Sequence, residues 1–410
     1  MTSDHRLHSL YKAIPGKNLF FPALVAAGSI AFLAGLLGAN PERMWLAYLI
    51  NFLLWSGIAQ GAVLFSAVMH LVKARWSGPL SGLAESFAGF FPLSFILFLL
   101  LFFGRTHVFP WLGQDLHGKE VWLNIPFLAA RDGLGLFALY MAGFIYLFYA
   151  LQLRLDQERP PSGLRRLLYR GRQKASFSSE VLRQRTTLWA GLYSLAFALV
   201  LSLIGFDLVM AANPHWLSTL FGGYTFIKAF YTGLGALIIL ACVRRLRRGE
   251  ASGLTQSQFI DIGKLYLAFC LVWADFLYAQ LVVIWYGNVP EETSYVITRV
   301  SYEPWQTVTW TVFILGFIIP FAVLLNRKVK ARPLIMIALC SLTIIAIWLE
   351  HLMLLGPALT AESGPLPLGI SEILIFLGFF GLVVCSIEFF SRILPENAAI
   401  NPKQAGEGNR

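Results

Sequence analysis

The sequence predicts an all-α protein that crosses a membrane about ten times, and three observations support this fold class. Hydrophobic residues make up 57% of the 410 positions and charged residues only 13%, whereas a typical soluble domain has roughly 25% charged residues. The mean hydropathy is +0.66. Apolar stretches of about 20 residues, the length that crosses a hydrocarbon core, recur along the chain. We therefore interpret residues 1–410 as one integral membrane domain.

Ten apolar stretches supply the predicted spans. They cover residues 20–38, 45–71, 83–104, 133–153, 186–212, 217–243, 262–286, 305–325, 334–354 and 366–390. The first stretch could imitate a secretory signal, but no clear small-residue cleavage site follows it, so we interpret it as retained. Short connections make neighbouring spans antiparallel. This predicts two four-helix bundles, made of spans 2–5 and spans 6–9, flanked by spans 1 and 10.

Basic residues predict how the chain is oriented in the membrane. Most of the 32 Lys and Arg residues lie near the termini and in the connections on the same side, and basic loops resist translocation. Residues 154–185 form the longest of these connections and separate residues 1–153 (spans 1–4) from residues 186–394 (spans 5–10), which a tail at 395–410 follows. The pattern predicts a multi-pass protein of a bacterial inner membrane, with both termini cytoplasmic. The basic loops also account for the net charge of +10 without a nucleic-acid partner.

Ionisable residues inside apolar spans are the candidates for a proton path, because such residues are costly in a bilayer and mark ion or proton routes. With a rise of about 1.5 Å per residue, Lys228 lies about 19 Å and Asp275 about 16 Å below the same surface. We expect these two residues to form an ion pair, with Asp207 nearer that surface. A purely structural salt bridge is the alternative. His70 and Glu85, at the cytoplasmic edge, have no local partner at helical spacing and are further proton-path candidates.

A second group of polar residues lies toward the non-cytoplasmic face. Arg131 and Asp132 begin span 4, Glu350 and His351 end span 9, and His107 follows span 3. A carboxylate beside a histidine or an arginine could bind a quinone headgroup and accept protons from quinol. The alternative for Asp132 is stabilisation of a helix N-terminus.

Aromatic and acidic residues in the non-cytoplasmic loops predict a docking surface for partner proteins. The loops cover residues 105–132 and 287–304. The docking candidates are Trp285, Tyr286, Glu291, Glu292, His215 and Trp216. The alternative is that the aromatic residues anchor helix ends at the membrane interface.

The histidine and cysteine patterns argue against a bound metal or haem in this chain. A bis-histidine haem site needs two imidazoles at one depth, and no histidine falls in the middle of a span. The four cysteines lie in or beside spans without CxxC spacing, which is typical of small buried hydrophobic residues. We expect no metal site and no covalently bound cofactor.

Two hairpin strings carry a family resemblance. They are Pro214-His215-Trp216 and Trp285-Tyr286-Gly287-Asn288-Val289-Pro290-Glu291-Glu292-Thr293. With Ile262-Gly263-Lys264-Leu265 at the start of span 7, they resemble the F subunit (the second quinone-type membrane subunit) of bacterial alternative complex III, a quinol:electron acceptor oxidoreductase. That subunit is an NrfD-like membrane protein of the polysulfide reductase type. The resemblance extends over most of the chain.

The resemblance implies a membrane subunit of a respiratory quinol:cytochrome c oxidoreductase, without activity on its own. Its partners would be a second NrfD-like membrane subunit, an iron–sulfur subunit and haem c subunits. The iron–sulfur and haem c groups would belong to those partners, a quinol would be the electron donor, and quinone or menaquinone would be the cofactor available to this chain. A quinol-oxidising NrfD-like subunit of another iron–sulfur oxidoreductase, such as polysulfide reductase, is the first alternative. A secondary transporter is the second, although we find no matched pair of Gly/Pro-broken spans in the two halves.

Overall fold

A computed structural model describes residues 19–393, apart from 115, 117, 155–178, 215 and 361–364. All regular elements in these residues are helices. Nine are long and apolar enough to cross a membrane, and a shorter apolar helix precedes them. We number these ten helices α1 Phe20–Leu36, α2 Pro41–Leu71, α3 Gly78–Val108, α4 Ile125–Arg154, α5 Ser179–Leu208, α6 Phe221–Arg248, α7 Gln256–Gly287, α8 Trp305–Leu325, α9 Pro333–Leu359 and α10 Ile370–Ile393. The predicted all-α, polytopic fold class is confirmed.

Several helices extend beyond the predicted spans because their polar ends also favour helix. Helix α7 begins six residues earlier than predicted, at a capping box. The side chain of Thr255 accepts a hydrogen bond from the backbone N–H of Gln258, and the side chain of Gln258 accepts one from the backbone N–H of Thr255. Helix α6 continues through Arg248, where basic residues in its last turn interact favourably with the helix dipole. A short amphipathic helix, Pro290–Val300, lies between α7 and α8. We call it the loop helix.

Two four-helix groups meet at a crossing between α2 and α6. Helices α2–α5 contact one another, and so do α6–α9. At the crossing, Gly61 and Gly233 let the two backbones approach closely. A Cβ atom on Gly61 would lie 2.1 Å from the carbonyl oxygen of Ala229, and one on Gly233 would lie 2.5 Å from the backbone of Gly61. Small residues therefore hold the two halves together, as is common where membrane helices pack.

Helices α1 and α10 pack along each other at the side of the first bundle. Their contact is also built on glycine, because a Cβ atom on Gly28 would lie 2.7 Å from the Cα of Gly378. Helix α10 also contacts α2 and the start of α3. The two flanking helices are therefore a pair beside one bundle, rather than one beside each bundle.

Successive helices alternate in direction, which defines two faces of the molecule. The end of α2 at Leu71 and the end of α6 at Arg248 lie on what we call the basic face, together with the starts of α3 and α7. The loop helix lies on the opposite face. The tail 395–410 and most of the connection 154–185 are outside the described residues.

Candidate functional site

A buried ion pair between α6 and α9 is the centre of the candidate site. The Nζ atom of Lys228 lies 3.0 Å from Oε1 of Glu350, and the two residues are only 3% and 0% exposed. The hydroxyl of Tyr224 donates to the same oxygen, while the indole N–H of Trp273 donates to Oε2 at 3.2 Å. Burying a charge is costly unless it is paired and hydrogen-bonded. Here one lysine and two neutral donors surround the carboxylate.

The predicted partner of Lys228 was wrong. Asp275 does reach a similar depth on α7, but its side chain is exposed, and no described residue forms an ion pair with it. The reason is the helical period. Trp273 points inward to Glu350, and a residue two positions later lies about 200° further round the helix. The rise along the helix therefore predicted the depth of Asp275 correctly, but it could not predict on which side of the helix the side chain lies.

His351 stands beside the pair and is also buried. Its Nδ1 atom lies 2.8 Å from the carbonyl oxygen of Ile347. Because a carbonyl oxygen only accepts hydrogen bonds, Nδ1 carries the proton and Nε2 is left as the basic nitrogen. The side chains of His351 and Lys228 both line a cavity.

This cavity connects the two bundles. Its volume, measured as space open to the centres of water molecules, is about 40 Å³, which is enough for about three waters. Ser56, Gln60 and Tyr140 line its other side. The buried Nε2 of Gln60 has no hydrogen-bond partner among the described residues. A water molecule there would satisfy that donor and bridge it toward Lys228.

Hydroxyl groups continue from the cavity into the first bundle. Tyr193 donates to the side-chain oxygen of Gln60 at 2.7 Å. On the other side, Ser94 bridges Ser56 at 2.6 Å and Tyr140 at 2.7 Å. Hydroxyl groups both donate and accept, so such groups can pass a proton along a chain.

A third polar cluster lies nearer the basic face. The hydroxyl of Ser66 donates to Glu85 at 2.7 Å and lies 2.9 Å from the hydroxyl of Tyr146. The ring of Tyr146 stacks on that of Tyr193, with centroids 6.4 Å apart, and lies 6.5 Å from the ring of His70. The two proton-path candidates of this face, His70 and Glu85, therefore come together around one tyrosine.

These groups form a ladder along α2. His70, Ser66, Gln60 and Ser56 lie progressively deeper, at about 2, 8, 17 and 23 Å from the helix end at Leu71. Lys228 lies about 11 Å from the other end of the molecule, measured along α6 from Phe221. Polar groups thus recur between the basic face and the Lys228–Glu350 pair, and the widest gap on α2, about 9 Å between Ser66 and Gln60, is spanned by the stacked rings of Tyr146 and Tyr193.

Arg131 and Asp207 form a separate site toward the opposite face. The guanidinium Nε donates to Oδ2 of Asp207 at 2.7 Å, and its NH2 lies 2.7 Å from Oδ1. The indole N–H of Trp122 also donates to Asp207, at 2.9 Å. The Asp132 carboxyl lies buried beside this pair, 4.0 Å from Arg131. Asp207 is therefore engaged here and does not line the cavity that Lys228 faces.

The five quinone-pocket candidates do not form one pocket. Arg131 and Asp132 belong to the site just described, whereas Glu350 and His351 lie with Lys228. His107 is half-buried in the last turn of α3, outside both groups. Asp132 also lies in the third turn of α4, too far from its N-terminus to act as the expected dipole partner.

The docking candidates separate in the same way. Trp285, Tyr286 and Glu291 are exposed and Glu292 is half-buried. Trp216 is buried, however, and its ring stacks on Tyr295 of the loop helix at 3.9 Å. It therefore fixes the loop helix and offers no exposed surface. His215 lies outside the described residues.

Arg299 ties the loop helix to the end of α9. Its guanidinium donates to the carbonyl oxygens of Met353 at 3.0 Å and Leu354 at 2.8 Å and lies 3.5 Å above the ring of Tyr295. Burial lowers the pKa of Arg299, an effect that Tyr295 opposes, but a guanidinium remains charged in proteins. Burial raises the pKa of Tyr295, which keeps its proton. The loop helix is thereby attached to the end of α9, about one turn from Glu350.

Sequence reasoning missed the neutral members of the site. Tyr224, Trp273, Gln60, Ser66 and Tyr146 all lie in apolar stretches, where aromatic and small polar residues are common. Gln60 carried a usable signal, because an amide in the middle of an apolar span needs a partner. The tyrosines carried none.

A scan against protein-family models finds no match, and a search of curated proteins finds none either. The family resemblance therefore rests on the sequence features described above, chiefly the two hairpin strings and the start of span 7.

Proposed function

We propose that this chain is a proton-conducting membrane subunit of a respiratory quinol:acceptor oxidoreductase that resembles alternative complex III. The observation that carries the proposal is the series of titratable and hydroxyl groups that runs from His70 and Glu85 through the cavity to Lys228 and Glu350. The series combines hydrogen bonds, the stacking of Tyr146 on Tyr193 and the cavity beside Lys228, and it extends along most of α2. The hairpin strings supply the class of complex.

The chemistry of each group fits transfer of a proton. Water in the cavity would carry a proton from the Gln60 side to Nε2 of His351 or to the Lys228–Glu350 pair. Glu350 can accept it and remain bound to Tyr224 and Trp273, because a protonated carboxyl still accepts hydrogen bonds. Lys228 stabilises the carboxylate when the proton leaves toward the opposite face. Glu350 therefore alternates between a protonated and an ionised state, and Tyr224 and Trp273 donate hydrogen bonds to it in both.

The alternatives have less support. A quinol-oxidising subunit of another iron–sulfur oxidoreductase would place Arg131, Asp132, Glu350 and His351 in one pocket, and these residues lie in two separate sites. A secondary transporter would have interrupted helices at matching positions in its two halves. The 3-10 segment Ser86–Phe90 interrupts the second helix of the first bundle, while the π segment Ile314–Ile318 interrupts the third helix of the second. The interruptions therefore do not correspond.

Glu350→Gln and Lys228→Met in the complete complex, reconstituted into vesicles, test the proposal. We expect electron transfer from quinol to continue while proton release into the vesicle exterior or lumen slows at least about tenfold. Glu372→Gln is the matched control. It removes another buried carboxylate, which pairs with Arg43 at 2.7 Å but lies outside the ladder. Unchanged proton release in both test variants, with normal assembly, would refute proton conduction.

The class of complex needs its own measurement. Affinity purification of the tagged chain from its native membranes should bring down haem c and iron–sulfur proteins, visible in the absorption and electron paramagnetic resonance spectra. A chain that purifies alone and transports a solute in liposomes would instead support the transporter.

A further inference from the structure

Among the proton-path candidates from the sequence, Asp275 is the one that belongs neither to the ladder nor to the Arg131 site, and its position within α7 is unusual. It lies 11 residues after Lys264 and 10 before Trp285, or about 16 and 15 Å by helical rise. Lys264 and Trp285 are residues typical of the two membrane borders. Asp275 is thus at the middle of a hydrophobic layer about 30 Å thick.

The side chain of Asp275 also points away from the protein. Its neighbours on the same side of α7 are exposed as well: Lys264, Ala268, Leu271, Tyr278 and Trp285. With Asp275, the positions from Lys264 to Tyr278 alternate in steps of four and three, and Trp285 follows two turns later, which is the spacing of a seam that packs against another helix. We call them the α7 seam. A charged group facing lipid at this depth is costly, so we expect another protein segment to pack against the seam.

We infer that the α7 seam is a membrane-embedded docking surface for a transmembrane helix of a different subunit, which presents a lysine or arginine at the depth of Asp275. The charge of Asp275 determines the chemistry of the occupant, because an opposite charge relieves the cost of a carboxylate in lipid. This inference does not rest on proton conduction, since Asp275 is on the far side of α7 from Glu350.

A second copy of this chain is a poorer occupant. Among the described residues, two basic side chains lie well inside the spans. Lys228 is buried against Glu350, and Arg131 is engaged with Asp207 and only 10% exposed. Neither is free to meet Asp275 across a two-fold axis. Two copies would instead place two Asp275 carboxyl groups against each other. A helix of another subunit that carries a cation would pair Asp275 with an opposite charge.

Site-specific photo-crosslinking in native membranes tests the inference. A benzoylphenylalanine at Tyr278, one turn from Asp275, should give one adduct with a different membrane protein. The matched control is the same probe at Leu195, an exposed position of α5, which should give no such adduct. Mass spectrometry of the adduct should identify a transmembrane segment with a central lysine or arginine.

Asp275→Leu and Asp275→Asn complete the test. Both should reduce the Tyr278 adduct at least fivefold, and reversing the charges in both partners, with Asp275→Lys and the partner's cation changed to Asp, should restore it. Because the position is exposed, the purified variants should melt at the parent temperature. An adduct between two copies, an adduct within the chain, labelling of lipid alone, or an adduct that both substitutions leave unchanged would each overturn the inference. If the crosslinked partner has a central cation but the assembly contains no haem c, the docking surface is supported and only the proposed class of complex is refuted.

Discussion

The Lys228–Glu350 pair and the Arg131–Asp207 pair are both buried ion pairs between membrane-spanning helices, yet their surroundings differ. Two guanidinium nitrogens of Arg131 contact both oxygens of Asp207, at 2.7 Å each. Lys228 reaches one oxygen of Glu350 and also lines a cavity large enough for about three waters. An arginine fork fixes a carboxylate from two sides, whereas an ammonium group is a point charge on a flexible stem.

Under the proposed function, the difference would separate a structural role from a proton-transfer role for the same kind of pair. The Arg131 guanidinium also donates to the carbonyl oxygen of Trp122 at 2.7 Å and lies 3.9 Å from its ring. The pair therefore fixes the loop before α4 against α5. At the Lys228 pair, the cavity leaves room for water beside the ammonium group, and His351 lines the same cavity. We expect the first pair to determine stability and the second to determine proton transfer.

The largest effect is expected at the helix crossing beside the Lys228 pair. Gly61→Ala would place a Cβ atom 2.1 Å from the carbonyl oxygen of Ala229, and a backbone atom cannot move aside as a side chain can. We expect the free energy of unfolding to fall by about 3 kcal/mol or more, measured by thermal melting in detergent.

The matched control for the crossing is Gly191→Ala on α5, where an added Cβ atom meets nothing within 4 Å. It should stabilise the chain by up to about 1 kcal/mol, because alanine favours helix over glycine. Equal melting temperatures for the two variants would show that the crossing is looser than described.

An effect of similar size is expected at the Arg131 pair. Arg131→Leu leaves the carboxyls of Asp207 and Asp132 buried together without their cation and should cost about 3–5 kcal/mol of stability. Asp207→Asn should cost less, about 1–2 kcal/mol, because Asp132 remains 4.0 Å from Arg131. Thermal melting of the purified chain measures both.

An exposed ion pair provides the control for the stability cost of breaking the buried Arg131 pair. Lys264 lies 2.8 Å from Asp261 on the surface of α7, and Asp261→Asn should change stability by less than about 1 kcal/mol. If Asp207→Asn proved more harmful than Arg131→Leu, the arginine would not be the residue that holds the two carboxyls together.

The fold was largely predictable from the sequence, and the site was predictable only in part. Span positions follow from apolar length alone, so the ten helices needed no tertiary information. Lys228, Glu350 and His351 were all identified as candidates, since each is a costly residue in an apolar run. Their grouping into one site could not be predicted, because Lys228 and Glu350 are 122 positions apart and their contact depends on which sides of α6 and α9 face each other. Asp275 illustrates this failure, since depth is encoded locally and orientation comes from packing.

The smallest effect we predict is at His351, and it sharpens the distinction between the two pairs. His351→Phe keeps the ring volume but removes Nε2, the basic nitrogen beside the cavity. Proton release should slow only about threefold, equivalent to about 0.7 kcal/mol in the barrier, because Lys228 still lines the cavity and remains paired with Glu350. His107→Phe, at a half-buried position outside both sites, is the control and should leave the rate unchanged. A block as complete as that expected for Glu350→Gln would mean that every proton passes through the imidazole, and that water does not reach Lys228 directly.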